Sequence, residues 1–173
     1  MWPFNRKPTP PPRDHVVIAV DAHGVEYDSA LITIAAYVDD ERRRVWRIDP
    51  ANAVEYGALY PYANAVHKSI DAINISEHPV NVFTAMCELS TFICGLNKPI
   101  VWGVMASIDL RIIRRHLKQT GNRVPWSLAD ERCARTLVAT FDGSATLMPS
   151  LSVPAVRMYH HRVMDILKHK KGV

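Results

Sequence analysis

The chain is poor in cysteine and has no long apolar run, and each shortage excludes a class of protein. Its three cysteines, Cys87, Cys94 and Cys133, form no CxxC pair and leave an odd thiol. That argues against a disulfide framework or a zinc knuckle and fits a reducing compartment. No apolar stretch approaches the roughly 18 residues a membrane span needs. The opening MWPFNRKPTPPPRD is neither a signal peptide nor an amphipathic helix, so a cytoplasmic location with no membrane partner is expected. With 173 residues, 48% of them hydrophobic and 22% charged, the chain suffices for one soluble domain that buries roughly two-thirds of its unfolded surface. Stability on this scale requires neither a metal nor a disulfide. The net charge of +4 permits polyanion binding without demanding it, because part of the excess lies in the C-terminal tail KHKKGV.

What is present begins with a proline-rich arm. Residues 1–14 hold five prolines, which prefer extended conformations and cannot donate to a β-ladder. The domain is expected over residues 15–169, with a basic tail at 170–173. Trp2 and Phe4 are too apolar for a pure spacer and are read as docking on the domain or on a partner. The stretch Val16 to Ala22, VVIAVDA, reads as a buried central strand ending in an acid, Asp21. A carboxylate there is costly unless something charged or hydrogen-bonding meets it, which makes Asp21 a candidate metal or substrate site; a turn aspartate is the competing reading. Ala30 to Val38 and Arg44 to Ile48 complete an antiparallel meander around the charged turn DDERR.

Beyond the meander, Pro50 to Ser76 reads as irregular with short helical turns, and its tyrosines Tyr56, Tyr60 and Tyr62 could stack bases or simply cover the core. Apolar residues at three- and four-residue spacing predict a helix from Pro79 to Leu96. A short strand follows at Pro99 to Val104, then a helix ending at Gly121 as its C-terminal cap. Asp109 lies in the first turns of that helix, where the dipole alone would favour it. Arg111, Arg114 and Arg115 read as a solvated face, with phosphate contacts as the alternative. Trp126 to Thr140 reads as a loop with a helix, and Leu151 to His169 as the final helix. The expected fold is α/β, a mixed sheet of about five strands with Val16 to Ala22 central and helices on both faces.

This order, with VDA on the first strand and IVWGVMASIDLRIIRRHLKQTGNRVPW followed by ERCARTL, resembles the DEDD-type 3'-5' exonucleases of the ribonuclease H-like fold, most of all their short phage and bacterial branch. The pattern there is D-x-E on the first strand, V-W-G-N-G-x-x-F-D opening a helix, P-W before R-D-x-R-T, and a last helix beginning H-N-A-x-x-D. The resemblance spans residues 15 to 168, and its specific part is Val101 through Thr136. It implies four carboxylates holding two divalent metals, Mg2+ or Mn2+, with a histidine as general base. Carried over position by position, the first aspartate is Asp21 and the helix aspartate is Asp109. The glutamate falls on His23, the acid of R-D-x-R-T on Cys133, the histidine on Val153 and the last aspartate on Met158.

Two carboxylates do not neutralise a pair of hard cations, and valine and methionine bring neither oxygen ligands nor a base. The resemblance with these departures implies a catalytically degenerate protein, a pseudoenzyme without a cofactor that acts by binding a protein or nucleic-acid partner. If phage-encoded, it would be directed at a host factor in the host cytoplasm. Two alternatives stand beside it. One is an active metal-dependent 3'-5' exonuclease with an altered site at Asp21 and Asp109, and the other is a structural or virion-associated protein. A borderline ion such as zinc on His23, Cys133 and the two aspartates is a further metal option. His160 and His161 would replace the missing base only if the last helix were shifted in register, and a solvated or partly buried pair is the simpler reading. Self-association into a homodimer stays open.

Overall fold

Eight residues, His15–Ala22, form β1, and six of them in succession are buried. Burial on both sides follows from the alternation of side chains along a strand. Val16, Ile18 and Val20 enter one apolar cluster with Ile34, Met86, Leu89, Leu110 and Ile113. Val17 and Ala19 enter another with Ala35, Trp102, Tyr159 and Val163. Residues 12–60, 79–142 and 152–170 are described in this computed structural model of the chain.

The strand β2 (Leu31–Tyr37) pairs antiparallel with β1, and β3 (Arg43–Arg47) pairs antiparallel with β2. On the other side of β1, β4 (Ile100–Gly103) runs parallel to it, and β5 (Glu131–Cys133) runs parallel to β4. The sheet order is β3-β2-β1-β4-β5, five strands with the first in the centre, as the alternation of apolar and helical patterns predicts. Among the described residues its helices are α1 (Pro50–Tyr56), α2 (Val82–Cys94), α3 (Ala106–Gln119), α4 (Ala134–Asp142) and α5 (Ser152–Lys170). The first cluster packs α2 and α3 on one face, and the second packs α4 and α5 on the other. The architecture is therefore the expected α/β fold.

Local chemistry sets the boundaries. The side chain of Asp49 accepts from the Ala51 N–H at 2.9 Å and starts α1 at a proline, the position where a missing N–H costs nothing. The helix α2 starts three residues later than Pro79, because Val80 bridges Ile48 in extended conformation and Asn81 caps the helix by accepting from the Thr84 N–H at 2.7 Å. After α3, Gly121 has φ of 74°, the left-handed conformation that ends helices. The strand β5 lies inside the stretch expected to be loop and helix. With only three residues and no apolar run, it carries no periodic signal, and its parallel pairing to β4 defines it.

Arg114 is not part of a solvated face. Its guanidinium pairs with Glu131 at 2.8 Å, and the Trp126 indole donates to the same carboxylate oxygen at 2.7 Å, so α3 and the segment before it pin β5. The last two residues of the expected arm are docked. Arg13 donates to the Lys98 carbonyl at 2.7 Å, and Asp14 accepts from the Asn97 N–H at 2.8 Å and pairs with Arg42 at 3.1 Å. Trp2, Phe4 and Tyr62 lie outside the described residues. No helix among those described is long and apolar enough to cross a membrane.

The turn from β4 into α3 leaves no room for a side chain. A Cβ at Gly103 would stand 2.6 Å from the Ala106 Cα and 3.0 Å from the Leu110 Cγ. Gly103→Ala is therefore expected to destabilise the domain by about 2 kcal/mol or more, since backbone must move to relieve the overlap. Thermal unfolding followed by circular dichroism checks it, and an unchanged midpoint would contradict the close approach.

Candidate functional site

The parallel strands β4 and β5 end opposite Ile18 of β1, which runs on to Ala22, and in α/β sheets ligands are taken up at such carboxyl ends. Asp21 is the penultimate residue of β1, at a register irregularity between Asp21 and Ala22 that breaks the ladder with β2. Asp109 projects from the first turn of α3, whose start is fixed by the Gly103 turn. Both acids are buried, with 5% and 2% of their surface exposed. One oxygen of Asp109 accepts from the Met105 N–H at 2.7 Å. Burial pushes the Asp109 carboxyl up to about 7; the Met105 hydrogen bond opposes this, the charge of Asp21 adds to it, and hydrogen bonds from the Val20 and Val104 backbone oppose it again. Asp21 is thus close enough for its charge to act on Asp109, and Val20 borders both.

Cys133, the last residue of β5, stands at the entry to α4, with its Sγ 3.8 Å from the Val104 carbonyl. Burial pushes its thiol up, but hydrogen bonds from the Thr136 side chain and from the Ala106, Thr136 and Arg135 backbone outweigh it and hold the thiol below its ordinary value. Arg135 also reaches the Met105 sulfur at 3.3 Å, so Met105 is the side chain that the arginine covers beside the cleft. His23 follows β1 directly. Its N–H donates to the Ala30 carbonyl at 2.8 Å, and its carbonyl accepts from the Tyr60 N–H at 3.0 Å.

The two histidines of α5 stand elsewhere. Tyr37, whose Cα partner on β1 is Val17, packs edge-on against His160 at 5.0 Å and lies 3.3 Å from His161 Nε2 through its hydroxyl. Four residues of strand separate Val17 from Asp21, about 13 Å. Burial pushes His160 down to about 4, and the adjacent His161 adds to this, so it stays neutral at physiological pH. Met158 lines a groove between α5 and the strands β2 and β3, with Ala36, Tyr37 and Val45. Val153 lies in the first turn of α5, and its side chain is not among those described.

Beside the cleft, the loop following β1 is clamped to α3. The guanidinium groups of Arg111 and Arg115 lie 5.9 and 5.6 Å from the centre of the Tyr27 ring. Arg115 donates to the Tyr56 carbonyl at 2.8 Å, and the Tyr60 hydroxyl donates to Asp28 at 2.7 Å. Tyr56 packs on the core. Arg115 thus holds loop to helix, while Arg111 is exposed beside the Tyr27 ring, in keeping with a solvated face. Sequence reasoning missed Tyr27, because a single tyrosine in a polar loop has no pattern; the only available signal was the i, i+4 spacing of Arg111 and Arg115.

A two-cation site needs several hard oxygen donors converging on each ion. Among the described residues no three of His, Cys, Asp and Glu gather where they could hold a metal ion. Asp21 and Asp109 are the acids at these strand ends, and Asp109 already accepts main-chain hydrogen bonds. The described donor set therefore does not fit a pair of hard divalent ions, nor a zinc ion shared by His23, Cys133 and the aspartates.

Asp109 makes stability depend on pH. Its folded value is raised to about 7 from an ordinary 3.8, so between those limits the unfolded chain has lost the proton that the folded chain keeps, and stability falls as pH rises. Asp109→Asn keeps an acceptor for Met105 and removes the ionisation. In metal-free buffer it is expected to stabilise the protein at pH 8 by roughly 1–3 kcal/mol, with a smaller gain at pH 5. Denaturant unfolding at both values measures this, and an equal difference at the two would contradict the burial of a protonated carboxyl.

Comparison with known proteins bears on the same segment. No curated protein matches the chain. Residues 63–173 match the family described as the 3'-5' exoribonuclease Rv2179c-like domain, a span that contains Asp109, Cys133, Val153 and Met158 and leaves Asp21 and His23 outside it. With more than half of its length in that match and the five-stranded α/β fold around it, the chain belongs to the Rv2179c-like 3'-5' exoribonuclease domain family.

Proposed function

We propose that this member of the family is a degenerate exoribonuclease, a protein that keeps the frame of the enzyme and acts by binding RNA rather than hydrolysing it. The observation that carries this reading is the donor set at the strand ends: Asp21 and Asp109 meet there without a third described acid or imidazole. The positions that the DEDD pattern assigns to the other acids and the base hold His23, Cys133, Val153 and Met158. RNA is the favoured partner because the family is described by action on RNA and the chain carries a net charge of +4. An active metal-dependent exoribonuclease is the second reading, favoured by the presence of two buried acids, Asp21 and Asp109, the charge of the first acting on the second. A protein partner directed to this fold is a third outcome that the same preparation can reveal.

The test uses 3'- and 5'-labelled RNA oligonucleotides with Mg2+ or Mn2+, comparing the wild-type chain with the double variant Asp21→Asn, Asp109→Asn. One lost preorganised electrostatic contact commonly costs about 3–4 kcal/mol in the barrier, so the loss of several places the rate many orders of magnitude down even with strong non-additivity. The expected result is no shortening by either protein while RNA is retained in a gel-shift or anisotropy measurement. Metal-dependent shortening from the 3' end by wild type, lost in the double variant, would overturn the proposal and establish the active reading.

A further inference from the structure

The sheet carries a concavity away from the Asp21 end of β1, at β2, β3 and α5. It is a groove of about 660 Å³ between α5 and the edge strands, within the range of small-ligand sites. Its floor is apolar, made by Val45 of β3 and by Val156 and Met158 of α5. Its rim is strongly basic: Arg43 and Arg44 rise from β3 on one side, and Arg157 and Arg162 from α5 on the other. Against these four guanidinium groups the lining contains a single acid, Asp165. Positive charge on both walls over an apolar floor is the complement of a planar base carrying a phosphate.

Two of these charges, on Arg44 and Arg157, are available to a ligand at small cost. Arg157 pairs with Asp40 at 3.1 Å, and both side chains are more than half exposed, at 54% and 63%. An exposed bridge of this kind contributes about 0–1 kcal/mol, so a phosphate can displace it. Asp40 would keep its hydrogen bond from the Tyr37 hydroxyl at 2.7 Å. Arg44 donates one guanidinium N–H to the Arg43 carbonyl at 2.8 Å, which orients it along the rim and leaves further donors on the fork. The opposite wall is a helix packed on β1 and β2 through Val156, Tyr159 and Val163, so both walls are rigid elements rather than loops.

From this geometry we infer that the groove between β3 and α5 is a binding site for a nucleoside phosphate, with the base on the Val45 and Met158 floor and the phosphate between Arg44 and Arg157. The nucleoside phosphate is either a free mononucleotide or one residue of an RNA strand, and the two share the chemistry that the groove recognises. The site is separate from the Asp21 and Asp109 cleft, and the inference does not depend on whether that cleft cleaves.

The experiment is fluorescence anisotropy of the full chain with a short labelled oligoadenylate, with adenosine monophosphate and inorganic phosphate as competitors. The charge reversal Arg44→Glu with Arg157→Glu and the floor variant Met158→Glu are compared with Arg123→Ala, an exposed arginine by the β5 edge of the sheet. Circular dichroism and thermal unfolding verify that each variant folds. Binding is expected to weaken roughly tenfold or more in the charge reversal and in the floor variant, and less than about twofold in Arg123→Ala, with a salt dependence that flattens when the arginines are lost. Competition by adenosine monophosphate supports the site with a free nucleotide as sufficient ligand, and binding of RNA without that competition supports it with a strand residue as the ligand. Wild-type binding of neither, equal binding by folded groove variants, or competition by inorganic phosphate as strong as by the nucleotide would overturn it. Cleavage of the RNA does not enter this readout, so the outcome stands apart from the fate of the degenerate-enzyme proposal.

Discussion

A carboxyl group buried where β1, β4 and α3 meet is the constraint on which the rest of this structure depends. Asp109 is 2% exposed, and the protein meets the cost of that burial in two ways. It gives the carboxyl a backbone hydrogen bond from the Met105 N–H, and burial raises its proton affinity to about 7, so that a substantial fraction stays uncharged near neutral pH. Both devices need the main chain to be in place first. The Gly103 turn brings α3 against β4, and β1 must end where it does for Val20 to reach the carboxyl. Asp21, one residue beyond, then becomes a second buried acid beside the first and adds its charge to the cost. In a chain whose family is described as a 3'-5' exoribonuclease domain, such a pair is where the proposed function begins. With its hydrogen bonds already made, it is equally a stable structural knot.

The sheet was legible because its central strand is apolar on both faces, and seven consecutive residues of VVIAVDA state that directly. The meander, β4 and the three long helices follow from periodicity, and the left-handed Gly121 from the rule that ends helices. What sequence could not show was set by pairing rather than pattern. β5 has three residues, Glu131, Arg132 and Cys133, which alternate with no apolar signal and form a strand only because β4 offers a parallel edge. The start of α2 moved because Val80 spends its backbone on a bridge to Ile48 before Asn81 caps the helix. At the site, the acids Asp21 and Asp109 could be named from motif spacing, whereas their coupling through Val20 is a tertiary fact. The arginines of α3 illustrate the other limit. Arg111, Arg114 and Arg115 look alike in sequence, yet one is an ion-pair anchor for β5 and two embrace Tyr27, a residue with no sequence signal at all.

The distribution of charge divides the molecule by task. Around the cleft, guanidinium groups are engaged: Arg114 with Glu131, Arg115 with the Tyr56 carbonyl, and Arg135 over Met105. On the far side, the arginines of β3 and α5 flank an apolar floor, and Arg157 is paired there with Asp40 through exposed side chains. Under the proposed reading, RNA binding without hydrolysis asks only that a surface away from Asp21 and Asp109 hold the strand. Met158 connects the two halves of this account. The sequence resemblance leads one to expect an acid at its position, and in this chain Met158 is part of the apolar floor of the basic groove.

The most direct measurement is a titration of Mn2+ into the metal-free chain at neutral pH, followed by the electron paramagnetic resonance signal of the free aquo ion. Two buried acids, one of them sharing its oxygens with backbone N–H groups, predict that the signal rises linearly from the first addition, with no stoichiometric uptake. Loss of signal equivalent to two ions per chain, abolished by Asp21→Asn, would contradict the account and return the cleft to catalysis.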